Sequence, residues 1–254
     1  SIGRVPSIIS ILIAVAGGSM GPLLLGGLSS LVGSIVPKAL LPRAYAMDVV
    51  TYNVSAILAP AIVAAVAGFL TPFISLILLA ALMFMASGNV LRLPVESSRE
   101  RAVIAAPSPV DGFKALASIP PLRSTVVATS LASVTMGIMP VAATMLAEQT
   151  YDVNAGVLLS TMAAGALIGS LTYAARPFGT ERPHVMLPFV TMAGAVPLAI
   201  LIPVESTWLA LALFLGSGLF RGPEGTAQFS VRDRFSPSNV RTQVFTLSTS
   251  LKTT

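Results

Sequence analysis

The chain has no cysteine, which excludes disulfide frameworks, thiol nucleophiles and thiolate metal sites. A single histidine, His184, leaves no His-based metal set. Charge is scarce as well. Asp, Glu, Lys and Arg make up 10% of the 254 residues, against about 25% in soluble domains. No Gly-x-x-x-x-Gly-Lys-Ser/Thr pattern surrounds Lys38, Lys114 or Lys252, so ATP hydrolysis by this chain is excluded. What abounds is apolar sequence, 54% of residues, with a mean hydropathy of +0.86. One soluble core cannot hide that much. The composition therefore reads as an all-α, polytopic transmembrane helix bundle whose first partner is a lipid bilayer.

A spanning helix needs about 20 mainly apolar residues. Seven stretches qualify: residues 7–36, 44–69, 72–93, 124–147, 153–175, 184–204 and 207–230. The first is long enough to require tilt, or a break near Gly17-Gly18. An eighth opens near Gln243 and stops with the chain at Thr254, and the sequence starts without Met beside a span already under way. The expectation is a fragment of a longer membrane protein.

Basic residues occupy alternate connections: Lys38 and Arg43; Arg92, Arg99, Arg101, Lys114 and Arg123; Arg176 and Arg182; Arg232, Arg234 and Arg241. The intervening connections carry Glu148, Asp152 and Glu205 and no Lys or Arg; Arg4 is the exception. This alternation predicts that the basic connections are cytoplasmic. It accounts for the net charge of +5 by topology and leaves no basic patch for nucleic acid. The expected organisation is part of one bundle over 1–93, a cytoplasmic loop over 94–123, and part of a second bundle over 124–254. Within the loop, Val110, Phe113, Leu116 and Ile119 recur at helical spacing, which predicts a short interfacial helix.

The two ends of the chain repeat one another. Gly21-Pro22 is followed by Arg43 and a new span, and Gly222-Pro223 by Arg241 and a new span. The prolines stand 201 residues apart and the arginines 198. Six span starts fall within that offset, which implies two six-helix halves in the same orientation. The layout resembles a major facilitator superfamily transporter running from helix four into helix eleven, in its bacterial drug- and siderophore-efflux-like branch. Three stretches carry the resemblance: Gly21-Pro22 through GGLSS at 26–30, LPRAYAMDVVTYN at 41–53 and AILAPAIVAAVAG at 56–68; PPLRS at 120–124; and GSGLFRGPEGTAQFSVRDRF at 216–235 with NVRTQVFTLSTSLK at 239–252. The efflux signature of that family opens on Gly-Pro; here Ala59-Pro60 stands there, followed by small residues. A Gly-x-Leu-x-Asp-Arg type motif is matched by Gly169, Ser170 and Leu171, with Tyr173 in place of the acid. The resemblance implies a multi-pass plasma-membrane antiporter, a monomer when full length. It would export a small lipophilic or amphipathic molecule in exchange for protons, with no cofactor, no metal and no enzymatic activity.

Ionisable groups within spans are functional candidates because a bilayer penalises them. Ser217, Arg221, Glu224 and Gln228 fall on one helical face, interrupted by Gly222-Pro223, which should loosen the helix. Arg221 would attract an anionic group and Glu224 would carry the coupling proton; the alternative is an internal Arg221–Glu224 ion pair that holds packing. Asp48, Tyr52 and Asn53 lie near the start of the second span, where Asp48 either takes part in gating or stabilises a helix N-terminus or Arg43. Lys252 falls inside the truncated span. Gly21, Pro22, Ala59, Pro60, Gly222 and Pro223 are the candidate packing and gating positions. His184 is read as interfacial, and Met136, Met139, Met145 and Met162 as packing or as the lining of an adaptable cavity. An intramembrane serine hydrolase built on Ser87 or Ser217 lacks a base in reach. A channel would need repeated polar rings, and none is evident. A non-transporting scaffold or degenerate transporter remnant is the alternative to transport.

Overall fold

A computed structural model describes Ile11 and residues 25–69, 72–90, 108–151 and 153–253. Among these residues every regular element is helical. Helix α1 is Leu25–Ile35. A 3-10 turn over Lys38–Leu40 leads into α2, Leu41–Phe69; then come α3, Pro72–Val90; α4, Pro109–Ser118; α5, Pro120–Gln149; α6, Ala155–Ala175; α7, Pro183–Ile200; α8, Thr207–Leu219; α9, Arg221–Phe235; and α10, Arg241–Thr253. By length and apolarity α5, α6 and α7 can each cross a bilayer. Their outward faces fit that solvent. Phe189, Met192 and Leu131 are exposed, and Trp208 at the start of α8 is 82% exposed.

The helix boundaries follow from local chemistry. Pro120 and Pro183 open α5 and α7, where a missing N–H leaves nothing unsatisfied. Asn154 caps α6 by accepting from the Gly156 N–H at 2.8 Å. Pro140, Pro188 and Pro197 sit inside α5 and α7, as intramembrane helices allow.

The chain forms two compact units, Ser1–Thr51 with Pro109–Thr254, and Tyr52–Ser108. The second holds the latter part of α2 and all of α3, whose Met83, Phe84 and Met85 are exposed. The first holds three apolar clusters. Met139, Ala143, Leu158, Met162 and Phe214 join α5, α6 and α8. Ala46, Tyr173, Met186, Leu187, Val190 and Ala227 join α2, α6, α7 and α9. Ala115, Leu116, Leu122, Val231, Val240 and Val244 join α4, α5, α9 and α10. The tightest crossing is α6 on α8–α9. Gly165 and Gly169 face Gly218 and Gly222, and an added Cβ at any of the four would collide with backbone of the other segment. Two Gly-x-x-x-Gly stripes thus lie against each other, the arrangement that lets apolar helices gain contact where lipid removes the hydrophobic drive.

Several expectations are revised. The seventh span is not one helix over 207–230 but two, α8 and α9, parted at Phe220, and it continues to Phe235. Pro223 has no N–H to offer the Leu219 carbonyl, so the ladder opens there. That carbonyl lies against Gly169 of α6. Helix α4 exists; Leu116 of its apolar stripe is buried together with Gly112 and Ala115, while Val110 and Phe113 are exposed. Gly112 is the reason: lacking a Cβ, it meets Gln243 and Leu247 of α10 closely. Helix α2 starts at Leu41, so Asp48 lies beyond its first turn and is not an N-terminal residue. The break near Gly17-Gly18, the pair Gly21-Pro22, and Arg4, Arg92, Arg99 and Arg101 lie outside the described residues.

Gly26 of α1 lies on the Thr246 backbone of α10, and Gly225 of α9 lies on Val49 of α2. These two contacts exchange under nearly the same offset that relates Pro22 to Pro223.

Candidate functional site: a polar seam between α9 and α10

Helix α9 carries Arg221, Glu224, Gln228 and Arg232 at i, i+3, i+7 and i+11, one face of a helix with 3.6 residues per turn. Gln228 is buried and links two neighbours. Its Nε2 donates to Glu224 Oε1 at 3.4 Å, and its Oε1 accepts from Lys252 Nζ of α10 at 3.3 Å. Glu224, Gln228 and Lys252 therefore form one hydrogen-bonded line across two helices. Arg221 and Glu224 make no ion pair within 4.0 Å, although the Glu224 charge acts on Arg221. Arg221 Nε is buried without a partner among the described residues. Lys252 as a whole is an exposed residue; its ammonium stands within electrostatic reach of Arg232, Glu224 and Arg221.

Arg232 belongs to this face and was read from sequence as topological charge alone. It is 2% exposed, with the Phe229 ring 6.0 Å away and its Nε and Nη2 without partners among the described residues. The signal available in the sequence was its place four residues after Gln228. Ser217, expected on this face, turns to α7 instead and donates to the Gly194 carbonyl at 2.8 Å. The break at Phe220 ends the periodicity that would have aligned it with Arg221.

The remaining candidates lie elsewhere. Asp48 Oδ2 accepts from Ser29 Oγ at 2.7 Å, tying α2 to α1. Tyr52 and Asn53 are half-buried in the part of α2 that belongs to the second unit. Ala59 and Pro60 fall within the helical backbone of α2. Gly222 and Pro223 are buried at the break, with Gly222 on Ser170 of α6.

The end of the first unit that bears the arginines has its own polar set. Asp233 and Arg241 form an ion pair at 3.1 Å, and Gly33 of α1 makes room for Asp233 and the Tyr45 hydroxyl. Arg234 donates to the Glu181 carbonyl, and Tyr173 donates to the Phe178 carbonyl at 2.9 Å. Tyr173, standing where the resembling motif has an acid, thus holds the α6–α7 connection. His184 meets Phe235 edge-on at 5.6 Å. At the other end Tyr151 donates to the Val204 carbonyl at 2.8 Å, joining the α5–α6 and α7–α8 connections. Among the described residues no three Asp, Glu or His side chains gather as metal ligands would.

A lipid-facing helix bundle whose polar groups sit on a Gly-Pro-interrupted helix defines a polytopic membrane protein. The family profile of the Major Facilitator Superfamily matches residues 3–253, so the chain belongs to that superfamily, a transporter family and not one of enzymes. A relative from Sinorhizobium fredii (strain NBRC 101917 / NGR234), described as the uncharacterized MFS-type transporter y4rN, is 26% identical over 223 residues. The match covers 84% of this chain and 54% of the relative, so the chain spans about half the length of the curated relative it matches. No solved structure matches.

Proposed function

We propose that the chain forms part of a secondary active transporter that exports a small lipophilic or amphipathic compound in exchange for protons by alternating access, with its basic connections on the cytoplasmic side of the plasma membrane. The observation that carries this reading is the line Glu224–Gln228–Lys252 beside the Pro223 break. A carboxylate, an amide and an ammonium in a row supply a site that can take up or release a proton next to a helix segment free to bend. Glu224 is the coupling group in this reading, and Arg221, Gln228 and Lys252 line the path. The paired contacts Gly26–Thr246 and Gly225–Val49 support two related halves that close on each other.

The test is flux in energised vesicles. Glu224→Gln keeps the size of the side chain and its acceptor for Gln228 but cannot release a proton. It should abolish pH-gradient-driven movement of a fluorescent lipophilic dye while counterflow exchange without a gradient persists. Gradient-driven movement at the parental rate in Glu224→Gln removes Glu224 from coupling. Absence of movement of any compound by the parent protein favours the scaffold reading.

A further inference from the structure

Among the described residues Arg232 is a buried cation whose chemistry the coupling line does not use. Its Nε and Nη2 are the two donors of one edge of the guanidinium, the edge that meets both oxygens of a carboxylate or two oxygens of a phosphate. Both donors are buried and neither has a partner among the described residues. The neighbouring carboxylates are committed elsewhere: Glu224 to Gln228, and Asp233 to Arg241. The Lys252 ammonium, which donates to Gln228, lies within electrostatic reach of two further cations, Arg232 and Arg221, and of one carboxylate, Glu224, so positive charge is in excess there. One turn beyond Arg232, Ser236 keeps a buried hydroxyl without a partner as well. The surroundings are apolar. Phe229 stacks on Phe245 at 6.1 Å, and Val231 and Val244 are fully buried.

We infer that the Nε–Nη2 edge of Arg232, with Lys252 beside it, is the subsite for an oxyanion group, carboxylate or phosphate, on the transported compound. The inference rests on the transport reading and narrows its substrate class to amphipathic anions: the charged end meets Arg232 and Lys252, and the apolar body lies toward Phe229 and Phe245. A neutral or cationic compound gains nothing from that edge. Lys in place of Arg keeps the charge and loses the two-point geometry.

The experiment is equilibrium binding, which needs no gradient. The protein is placed in nanodiscs of phosphatidylcholine and titrated with radiolabelled benzoate, with phenyl phosphate and benzamide as competitors. Phenyl phosphate should displace benzoate, and benzamide, of the same shape without the charge, should not. Arg232→Lys should weaken benzoate about tenfold or more, with an unchanged unfolding midpoint in the absence of ligand; Lys252→Gln should weaken it less. Equal competition by benzamide, or parental affinity in Arg232→Lys, overturns the subsite. Should Arg232→Lys fail to fold, the competitor series and Lys252→Gln decide the matter alone. Loss of benzoate binding when phosphatidylglycerol is added to the discs gives the edge to a lipid headgroup and overturns the substrate assignment. Benzoate binding through Arg232 without vesicle flux defeats the transport reading and leaves the anion site standing. Flux of an anionic dye that is unchanged in Arg232→Lys defeats the subsite and leaves transport standing.

Discussion

Gly169→Ala adds one methyl group at the place where α6 meets the end of α8. The new Cβ would fall on the carbonyl of Leu219, with the Leu219 Cα and carbonyl carbon also within 3.0 Å. All three atoms are backbone, so no side chain can swing away, and the helices must separate. Overpacking of this kind costs about 1–3 kcal/mol. Separation would also loosen the neighbouring contacts of Gly165, Gly218 and Gly222. Against that stands the gain from removing a helical glycine, about 0.5–1 kcal/mol. Gly137→Ala isolates this gain, since a Cβ at Gly137, inside α5, meets nothing within 4 Å. The assay is reversible unfolding of the purified protein in mixed micelles with increasing dodecyl sulfate, followed by circular dichroism. Gly137→Ala should raise the unfolding free energy by about 0.5–1 kcal/mol, and Gly169→Ala should lower it by about 1–2 kcal/mol net. Equal effects of the two variants would refute the claim that the facing Gly-x-x-x-Gly stripes set the α6–α8 distance.

The absence of cysteine makes single-cysteine labelling a clean probe. Ser30 of α1 is buried beside Thr242 of α10, close to the Asp233–Arg241 pair; a cysteine at Ser30 should react slowly with a maleimide, and faster once Asp233→Asn weakens that end. Equal rates would separate the ion pair from closure. Ser217→Ala removes one interhelical hydrogen bond to Gly194, worth about 0.6 kcal/mol in membrane helices, and should leave flux at the parental level; a flux defect would return Ser217 to the transport path. Cysteines replacing Arg182 and Glu205 should label from opposite faces of sealed vesicles with a membrane-impermeant reagent, and labelling from one face would break the alternating orientation.

The all-α membrane class was legible because bilayer solvation constrains composition directly: scarce charge and long apolar runs have no other economical arrangement. Most helix starts were legible within a few residues, since Pro183 and Asn154 act through neighbours in the chain. The repeat is an expectation from Gly-Pro and Arg spacing, and its first Gly-Pro pair lies outside the described residues. Three things were not legible. The face that α4 packs on α10 is decided by Gly112, which lets α10 approach, and no periodicity of large apolar residues reveals it. The Gly-x-x-x-Gly stripes were visible in the sequence at 165–169 and 218–222, but nothing local says which glycines face each other. The polar face of α9 was drawn one element too far toward Ser217 and one turn short of Arg232, because the helix was taken to be continuous through Phe220.

The sequence alone determined the solvent and the element type, since each depends on residue chemistry and short-range spacing. The tertiary structure decided which of the charges answer one another. Lys252 meets Gln228 across 24 residues, and Arg232 is left with a buried edge that has no partner among the described residues. Such pairings depend on the crossing geometry of α9 and α10. Periodicity within one helix carries no information about that geometry, because the faces of two helices are brought into register only when their small residues permit the backbones to close.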